Sequence, residues 1–188
     1  MKELSLNILD IAENSVKAGA TLTEITIIED ESELSITFKD NGCGMTEDVL
    51  RGVTDPFYTT RTTRKVGLGL PLLKLQAEQT GGNLSVSSKH IDSFPEDHGT
   101  IVSAVFRKNH IDFTPLGDVV SSITTLIHGH PDTDFLFCHK YNEHLVELDT
   151  RQIREVLEDV PLNSFEVIKW IEEFLLEQYS SFLRKEDI

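Results

Sequence analysis

The chain of 188 residues carries 32 acidic and 17 basic side chains, a formal net charge of −15, and 39% apolar residues. This composition is typical of a folded globular protein, and so negative a chain is not expected to bind nucleic acid or an anionic membrane surface. No apolar run approaches the roughly 20 residues of a membrane-spanning helix, MKELSLNILD does not resemble a secretory leader, and two cysteines favour a reducing, cytoplasmic compartment.

The first predicted element is a helix over KELSLNILDIAENSVKAG, closed by Gly19. At about 100° per residue its apolar side chains share one arc. Asn7, Asp10, Asn14 and Lys17 occupy the opposite, polar arc. The alternating segments LTEITII and ELSITF then predict two strands joined by the acidic turn EDES.

The middle of the chain predicts a short helix, a long connection and a second helix. The short helix follows DNGCGM, and the connection DPFYTTRTTRKVG leads into a helix over LGLPLLKLQAEQT. The connection gathers Arg61, Arg64 and Lys65, a local basic cluster that suits either a small anionic ligand or a solvated loop. NLSVSS and TIVSAVF predict two further strands.

The character of the chain changes near residue 109, and we predict two units, 1–108 and 109–188. The second is predicted to be a small α/β region with three helices and the strands DFLFCHKY and HLVEL, and its function is unassigned. Alternatively, it packs directly on the first unit. The apolar stripe of the last helix, SFEVIKWIEEFLLEQYSSFLRK, indicates core packing or, alternatively, a partner groove or a homodimer contact.

Several features of the first unit together indicate a site for a nucleotide phosphate and its metal. Gly67 and Gly69 permit a backbone to approach an anion closely, and the helix that begins near Leu68 and Leu70 points its free N–H groups at that anion. Asn14 offers an amide oxygen to Mg²⁺, which is sufficient only when triphosphate oxygens complete the metal shell. Lys17, one turn on, can neutralise a phosphate.

The base of the nucleotide is predicted to lie at the end of the second strand. Asp40 can accept a hydrogen bond from the exocyclic amine of adenine, and Gly42 and Gly44 leave room for the flat ring. The last strand of the unit begins with the motif Gly99-Thr100, which we group with these features, so Thr100 is also a candidate. Taken alone, each glycine motif is equally compatible with a plain turn.

In this order the segments resemble the ATP-binding domain shared by gyrase, the heat-shock chaperone ATPases, histidine kinases and mismatch-repair MutL, the GHKL superfamily. DIAENSVKAGA resembles the N box, DNGCGM and VGLGLPLLKLQ the glycine boxes, and DPFYTT the F box, within residues 4–108. The resemblance implies a Bergerat-type fold, an α/β two-layer sandwich with a mixed, mainly antiparallel sheet and helices on one face. It also implies a nucleotide lid at residues 53–69, with contacts from Phe57, Thr59, Arg61 and Lys65.

The same resemblance leaves the reaction open between phosphotransfer and hydrolysis. Hydrolysing members carry a Glu where this chain has Asp10, which is a candidate general base with a shorter side chain, whereas Lys17 is kinase-like. The nine residues before Asp10 contain no His, so we expect any phosphoacceptor on a separate protein. We therefore favour an ATP- and Mg²⁺-dependent protein kinase acting in trans in signal transduction. The alternatives are a slow ATPase that acts as an ATP-gated switch, and a non-enzymatic interaction module.

Overall fold

A computed structural model describes residues 3–55 and 68–183 of the protein, with side chains as far as Ser180. Every helix and strand predicted from the sequence is present in these ranges, within a few residues of its predicted bounds. The strands are β1 (Leu22–Glu29), β2 (Glu33–Asp40), β3 (Asn83–Lys89), β4 (Gly99–Arg107), β5 (Asp134–Tyr141) and β6 (His144–Asp149). The helices are α1 (Ser5–Lys17), α2 (Glu47–Gly52), α3 (Gly69–Gln79), α4 (Val119–Gly129), α5 (Thr150–Leu157) and α6 (Phe165–Leu183).

The described strands form one mixed sheet in the order β3-β4-β2-β1-β5-β6. β1 pairs with β5 in parallel, and the other neighbours are antiparallel. At the centre, Ile25 of β1 lies between Phe38 of β2 and Phe137 of β5. The mixed, mainly antiparallel fold is thereby confirmed. The division of the chain at residue 108 stays a prediction, and strands from both sides of it share this sheet.

One face of the sheet is buried and the other remains more accessible. Residues alternate along β1, so that Thr23, Ile25 and Ile27 are buried and their neighbours are not. The buried face belongs to the same hydrophobic core as the apolar residues of α1, α3, α4 and α6. On the accessible face, polar pairs such as Thr37 and Ser103, with hydroxyl oxygens 2.6 Å apart, bridge adjacent strands. A sheet covered on one face is the two-layer arrangement.

The polar arc predicted for α1 is correct for Asp10, Asn14 and Lys17, which are exposed, and wrong for Asn7, which is fully buried. Asn7 Nδ2 donates a hydrogen bond to Gln76 Oε1 on α3. The reason is tertiary, because α3 packs beside the first turns of α1 and covers the side of the helix on which Asn7 lies. A buried amide is tolerated where another polar group partners it.

Helix α6 buries a narrower stripe than its sequence indicated. Val167, Ile171 and Leu175, four residues apart, are buried in the core. Phe165 and Trp170, which belong to the predicted stripe, are 76% and 51% exposed. Core packing therefore accounts for part of the apolar surface only. Although α6 has 19 residues, neither it nor any other described helix is apolar over a length that could cross a bilayer.

A cluster of charged and aromatic side chains joins β1, β5 and α6. Glu29 Oε1 lies 2.6 Å from Lys108 Nζ, and Glu29 Oε2 lies 3.3 Å from Nε2 of the buried His139. His139 Nδ1 lies 2.8 Å from the Tyr179 hydroxyl, whose pKa is raised by burial, so that the phenol keeps its proton. Burial raises the pKa of Glu29, but the bonds to His139 and Lys108 outweigh it and hold the pKa below its usual value.

We predict that this cluster makes stability depend on pH on the acid side. A carboxyl whose pKa is lower in the folded than in the unfolded state stabilises the fold above its ordinary pKa of 4.5, and that stability is lost as pH falls through the folded value. Glu29→Gln should therefore lower the free energy of unfolding near neutral pH and make its loss on acidification shallower. Urea unfolding at a series of pH values measures both quantities.

The matched control is Glu31→Gln, on the exposed turn between β1 and β2. It should leave both the free energy of unfolding near neutral pH and its decrease on acidification close to those of the parent. Equal slopes for the parent and Glu29→Gln would show that Glu29 is not a source of the pH dependence.

Candidate functional site

The site is built around Asp40, the half-buried last residue of β2. Asp40 Oδ1 accepts a hydrogen bond from the Gly42 N–H at 2.9 Å, and Oδ2 accepts one from the Ser15 hydroxyl, also at 2.9 Å. An ionised carboxylate has about four acceptor positions, so each oxygen retains capacity for a further donor. The protein thus fixes the orientation of Asp40 and leaves it able to bind an amine.

Ser15 is a residue of this site that the sequence analysis missed. It lies on the side of α1 that faces the core, near Ile11 and Ala12, and is itself buried. The signal available in the sequence was a hydroxyl on the apolar arc of the helix, because buried polar groups are nearly always hydrogen-bonded. Its partner could not be named before β2 was placed beside α1.

The loop after Asp40 is packed tightly between two parts of the protein. The Cys43 N–H donates to the Ala18 carbonyl at 2.9 Å, and the Ile91 N–H donates to the Cys43 carbonyl at 2.9 Å. Gly44 has φ +69°, and a Cβ on it would lie closer than 3.0 Å to the backbone of Lys89. Contacts within the protein are therefore enough to require glycine there. The proposed role of Gly42 and Gly44 in making room for a base stays a prediction.

The start of β4 closes the loop from the other side. Thr100 is buried, pairs with Asp40 across the β2–β4 ladder, and its hydroxyl lies 2.8 Å from that of Ser88. His98 Nδ1 lies 2.6 Å from the Gly42 carbonyl oxygen. A carbonyl can only accept, so His98 carries a proton on Nδ1 in this contact. No sequence pattern marked His98, because the contact joins distant segments.

The amino end of α3 touches α1 beside the predicted catalytic residue. A Cβ on the buried Gly69 would lie 3.4 Å from Cβ of Asp10, so the two helices meet there. Leu68 precedes the helix with its side chain half-exposed and makes no side-chain cap, while Leu70 is buried. The first N–H groups of a helix have no partner within it and favour an anion. Leu68, Gly69 and Leu70, which were predicted to bind phosphate, thus lie at the helix end that contacts Asp10.

The exposed arc of α1 carries Asp10 next to this helix end, followed along the helix by Asn14 and Lys17. Lys17 Nζ lies 3.6 Å from Glu13 Oε2, and the hydrogen bond from His130 Nε2 at 2.6 Å lowers the pKa of Glu13. Lys17 is 70% exposed, and pairs of this kind contribute little, so its ammonium group is available to an anion.

Asn14 is the residue predicted to hold a metal ion together with a phosphate ligand. No group of three or more His, Cys, Asp or Glu side chains in residues 3–55 and 68–183 is arranged to bind a metal ion. The exposed amide of Asn14 is a neutral oxygen donor, which fits Mg²⁺ that keeps phosphate oxygens and water in its other positions. The donor chemistry is therefore compatible with Mg²⁺ bound together with a triphosphate.

Five predicted nucleotide contacts lie outside the described residues. They are Phe57, Thr59, Arg61, Lys65 and Gly67. Their contacts stay predictions, as does the lid implied for residues 53–69.

Comparison with known proteins shows that the candidate site lies within a segment that matches a known family. Residues 2–110 match the model of the histidine kinase-, DNA gyrase B- and HSP90-like ATPases. Sporulation kinase A of Bacillus subtilis is 35% identical over 108 residues, which are 57% of this chain and 16% of that protein. The sensor protein SrrB of Staphylococcus aureus is 35% identical over 94 residues, 47% of this chain and 16% of that protein. This chain thus matches only about a sixth of the length of either relative.

Solved structures with similar folds cover more of the chain than the family segment does. The N-terminal domain of a DNA repair protein superposes with a TM-score of 0.53 at 17% identity, over 79% of this chain and 53% of that chain. The ATPase domain of Aquifex aeolicus MutL, complexed with ADP, superposes with a TM-score of 0.50 at 14% identity, over 84% of this chain and 70% of that chain. The likeness of fold therefore extends beyond residue 110.

We predict that Gly44→Ala disrupts the loop that positions Asp40. The new Cβ would collide with the backbone of Lys89 in a conformation already strained for any side chain, so we expect a loss of about 3 kcal/mol or more in the free energy of unfolding. Urea unfolding measures this loss.

Gly19→Ala is the matched control, because Gly19 has φ +73° but no atom within 4 Å of an added Cβ. Its cost should be that of backbone strain alone, about 1 kcal/mol. Similar losses in the two variants would refute the tight packing of the loop.

Proposed function

Because the chain belongs to the histidine kinase-, DNA gyrase B- and HSP90-like ATPase family, we propose that it binds ATP with Mg²⁺ between α1, the loop after β2 and the amino end of α3. The observation that carries this proposal is the orientation of Asp40 by Ser15 and Gly42, which leaves acceptor capacity at the end of β2. The contact between Asp10 and Gly69 supports it, since this contact brings the polar arc of α1 to a helix end that favours anions.

In this proposal each part of the site binds one part of the nucleotide. Asp40 accepts a hydrogen bond from the adenine amine, and the amino end of α3 binds phosphate oxygens through backbone N–H groups. Asn14 contributes an oxygen to Mg²⁺, which supplies positive charge against the triphosphate. Lys17 adds a second positive charge one turn along α1.

We further propose that the bound ATP is the phosphoryl donor for a separate protein. Support comes from the similarity to a sporulation kinase and from the exposed Lys17, which is kinase-like in its position after Asn14. The aligned segment of that kinase covers 57% of this chain, and the family segment that it overlaps is a nucleotide-binding one. That the phosphoacceptor lies on a separate protein is part of this proposal.

Slow hydrolysis is the second candidate, and the position of Asp10 favours it. Asp10 is exposed and its Cβ lies at the amino end of α3, where a terminal phosphate would lie in this proposal. A carboxylate there can orient and deprotonate a water molecule. In this case nucleotide turnover would drive a conformational switch.

We predict that Asp40→Asn weakens binding of ATP with Mg²⁺ by about 10- to 100-fold, because a charged acceptor for the adenine amine is lost. Isothermal titration calorimetry measures the dissociation constant. The control is Asp159→Asn, an equal change of charge at an exposed residue after α5, which should bind ATP like the parent. Equal binding by all three proteins would contradict the proposed site.

We predict that phosphotransfer and hydrolysis can be separated with Asp10→Asn. ATP labelled in the γ-phosphate is incubated with the protein, with and without an extract of the source cells. A kinase should label a protein of the extract only when the chain is present, and at sub-saturating ATP the Asp40→Asn variant should label it about 10- to 100-fold less. An ATPase should instead release phosphate steadily, and Asp10→Asn should reduce that rate by about 100-fold with ATP binding intact.

Binding of ATP without label transfer and without phosphate release would contradict both activities. The chain would then be an ATP-responsive interaction module. A rate of phosphate release that is unchanged in Asp10→Asn would exclude Asp10 as the general base of hydrolysis.

A further inference from the structure

A groove with a volume of about 580 Å³ lies between edge strand β6, α5 and α6. Its floor consists of Leu148, Ile153 and Val167, which are buried. Val156, 83% exposed, and Trp170 form its walls. The volume falls within the range of roughly 300–1,000 Å³ typical of specific binding sites. The groove lies in the part of the chain beyond the family segment, which ends at residue 110.

The wall formed by α6 is aromatic and ordered by stacking. The rings of Trp170 and Phe174 are 5.3 Å apart at their centroids and inclined by 13°. Exposed aromatic groups that are already held in place lose little conformational entropy on binding, and tryptophan is enriched where binding energy is concentrated. The neighbouring Phe165 is also exposed, so the apolar surface continues past the groove. This surface has the composition of a contact area for another molecule.

The charge of the lining residues indicates which kind of molecule the groove can bind. Its ionisable lining residues are all acidic: Glu147, Asp149 and Glu166. Asp149 is neutralised by the guanidinium group of Arg151 at 2.7 Å. Glu147 and Glu166 form no ion pair with another residue of the described ranges. An apolar floor with two free carboxylates at its mouth suits an apolar ligand with positive charges on its flanks.

The edge of β6 is closed to an added strand at its centre. Gln178 Oε1 accepts the N–H of Glu147 at 3.1 Å, and Gln178 Nε2 donates to the Glu147 carbonyl at 3.1 Å. The side-chain amide of Gln178 therefore already forms hydrogen bonds with the backbone N–H and carbonyl of Glu147, with which an incoming strand would pair. A helix needs no such backbone groups and can contact the groove with side chains alone.

We propose that this groove docks a short, basic, amphipathic helix of a partner protein. The apolar face of that helix would cover Leu148, Val156 and Trp170, and its Lys or Arg side chains would lie over Glu147 and Glu166. The eight residues of α5 span about 12 Å, which matches two to three turns of a docked helix. A second copy of this chain is a poor occupant, because two copies of net charge −15 would bring acidic rims together.

Docking at this groove can be tested apart from nucleotide binding. Asp40 lies on β2, and β1 and β5 separate it from β6 in the sheet. The proposal therefore stands whether or not the chain binds ATP. It is tested on the full chain, in which Trp170 is the one tryptophan and reports on the groove by its fluorescence.

The probe is a synthetic peptide of about 12 residues, built from Leu and Lys at helical spacing and lacking aromatic residues. We expect saturable one-to-one binding with a shift of Trp170 emission to shorter wavelength. A peptide of the same composition in scrambled order, which has no apolar face, and a Leu/Glu peptide should bind at least tenfold more weakly.

Val156→Arg places bulk and positive charge at the groove and should weaken binding of the Leu/Lys peptide at least tenfold. Ile111→Arg is the matched control, because Ile111 is 95% exposed outside the groove and the change of charge is the same. Both positions are exposed, so neither variant is expected to affect folding.

The acidic rim is tested with the double variant Glu147→Gln/Glu166→Gln against Glu31→Gln/Glu96→Gln, whose residues lie in exposed loops elsewhere. The two double variants have equal net charge, so general attraction of a basic peptide to an acidic protein is the same in both. We expect several-fold weaker binding only in the first.

Three results would overturn the proposal. The first is equal binding of the helical and scrambled peptides, and the second is equal binding by Val156→Arg and Ile111→Arg. The third is a dimer of the parent, seen by analytical ultracentrifugation, that Val156→Arg converts to a monomer. That result would assign the groove to a second copy of the chain.

Discussion

The close approach of three backbone segments at the end of β2 is the constraint on which the candidate site depends. A Cβ on Gly99 would lie closer than 3.0 Å to the backbone of Asp40, and one on Gly44 would lie equally close to the backbone of Lys89. A side chain at either position would push β2 away from the β3–β4 pair. The carboxylate of Asp40 could then no longer meet the hydroxyl of Ser15. Glycine is thus required for the shape of the site before any ligand is present.

The parallel pairing of β1 with β5 places the region beyond residue 110 in the same sheet and the same hydrophobic core as the candidate site. Two sets of side-chain contacts strengthen this link. Glu29 joins Lys108 to His139, and on α1 Glu13 binds His130 of the later region. Glu13 also lies beside Lys17, so the later region reaches the helix face that is proposed to meet phosphate. A change in one region is therefore in a position to affect the other.

The acidity of the chain means that attraction of an anion must be local. At physiological ionic strength, charges more than about 8 Å apart in solvent are largely screened. The backbone N–H groups at the start of α3 and the ammonium group of Lys17 therefore matter more to a bound phosphate than the net charge of −15 does. The same net charge favours encounters with basic partners, and near the groove Glu147 and Glu166 add a short-range contribution.

From the sequence alone, the periodicity of apolar residues determined the helices and strands, and the spacing of the glycine and polar motifs indicated the family and placed Asp40 at the end of a strand. Only the tertiary structure decided that β5 pairs with β1, that Asn7 is buried against α3, that Ser15 binds Asp40 and that Trp170 stays exposed. Periodicity shows which face of an element is apolar, because that depends on neighbours along the chain. Which other element covers that face depends on contacts between distant segments, and no local pattern contains them.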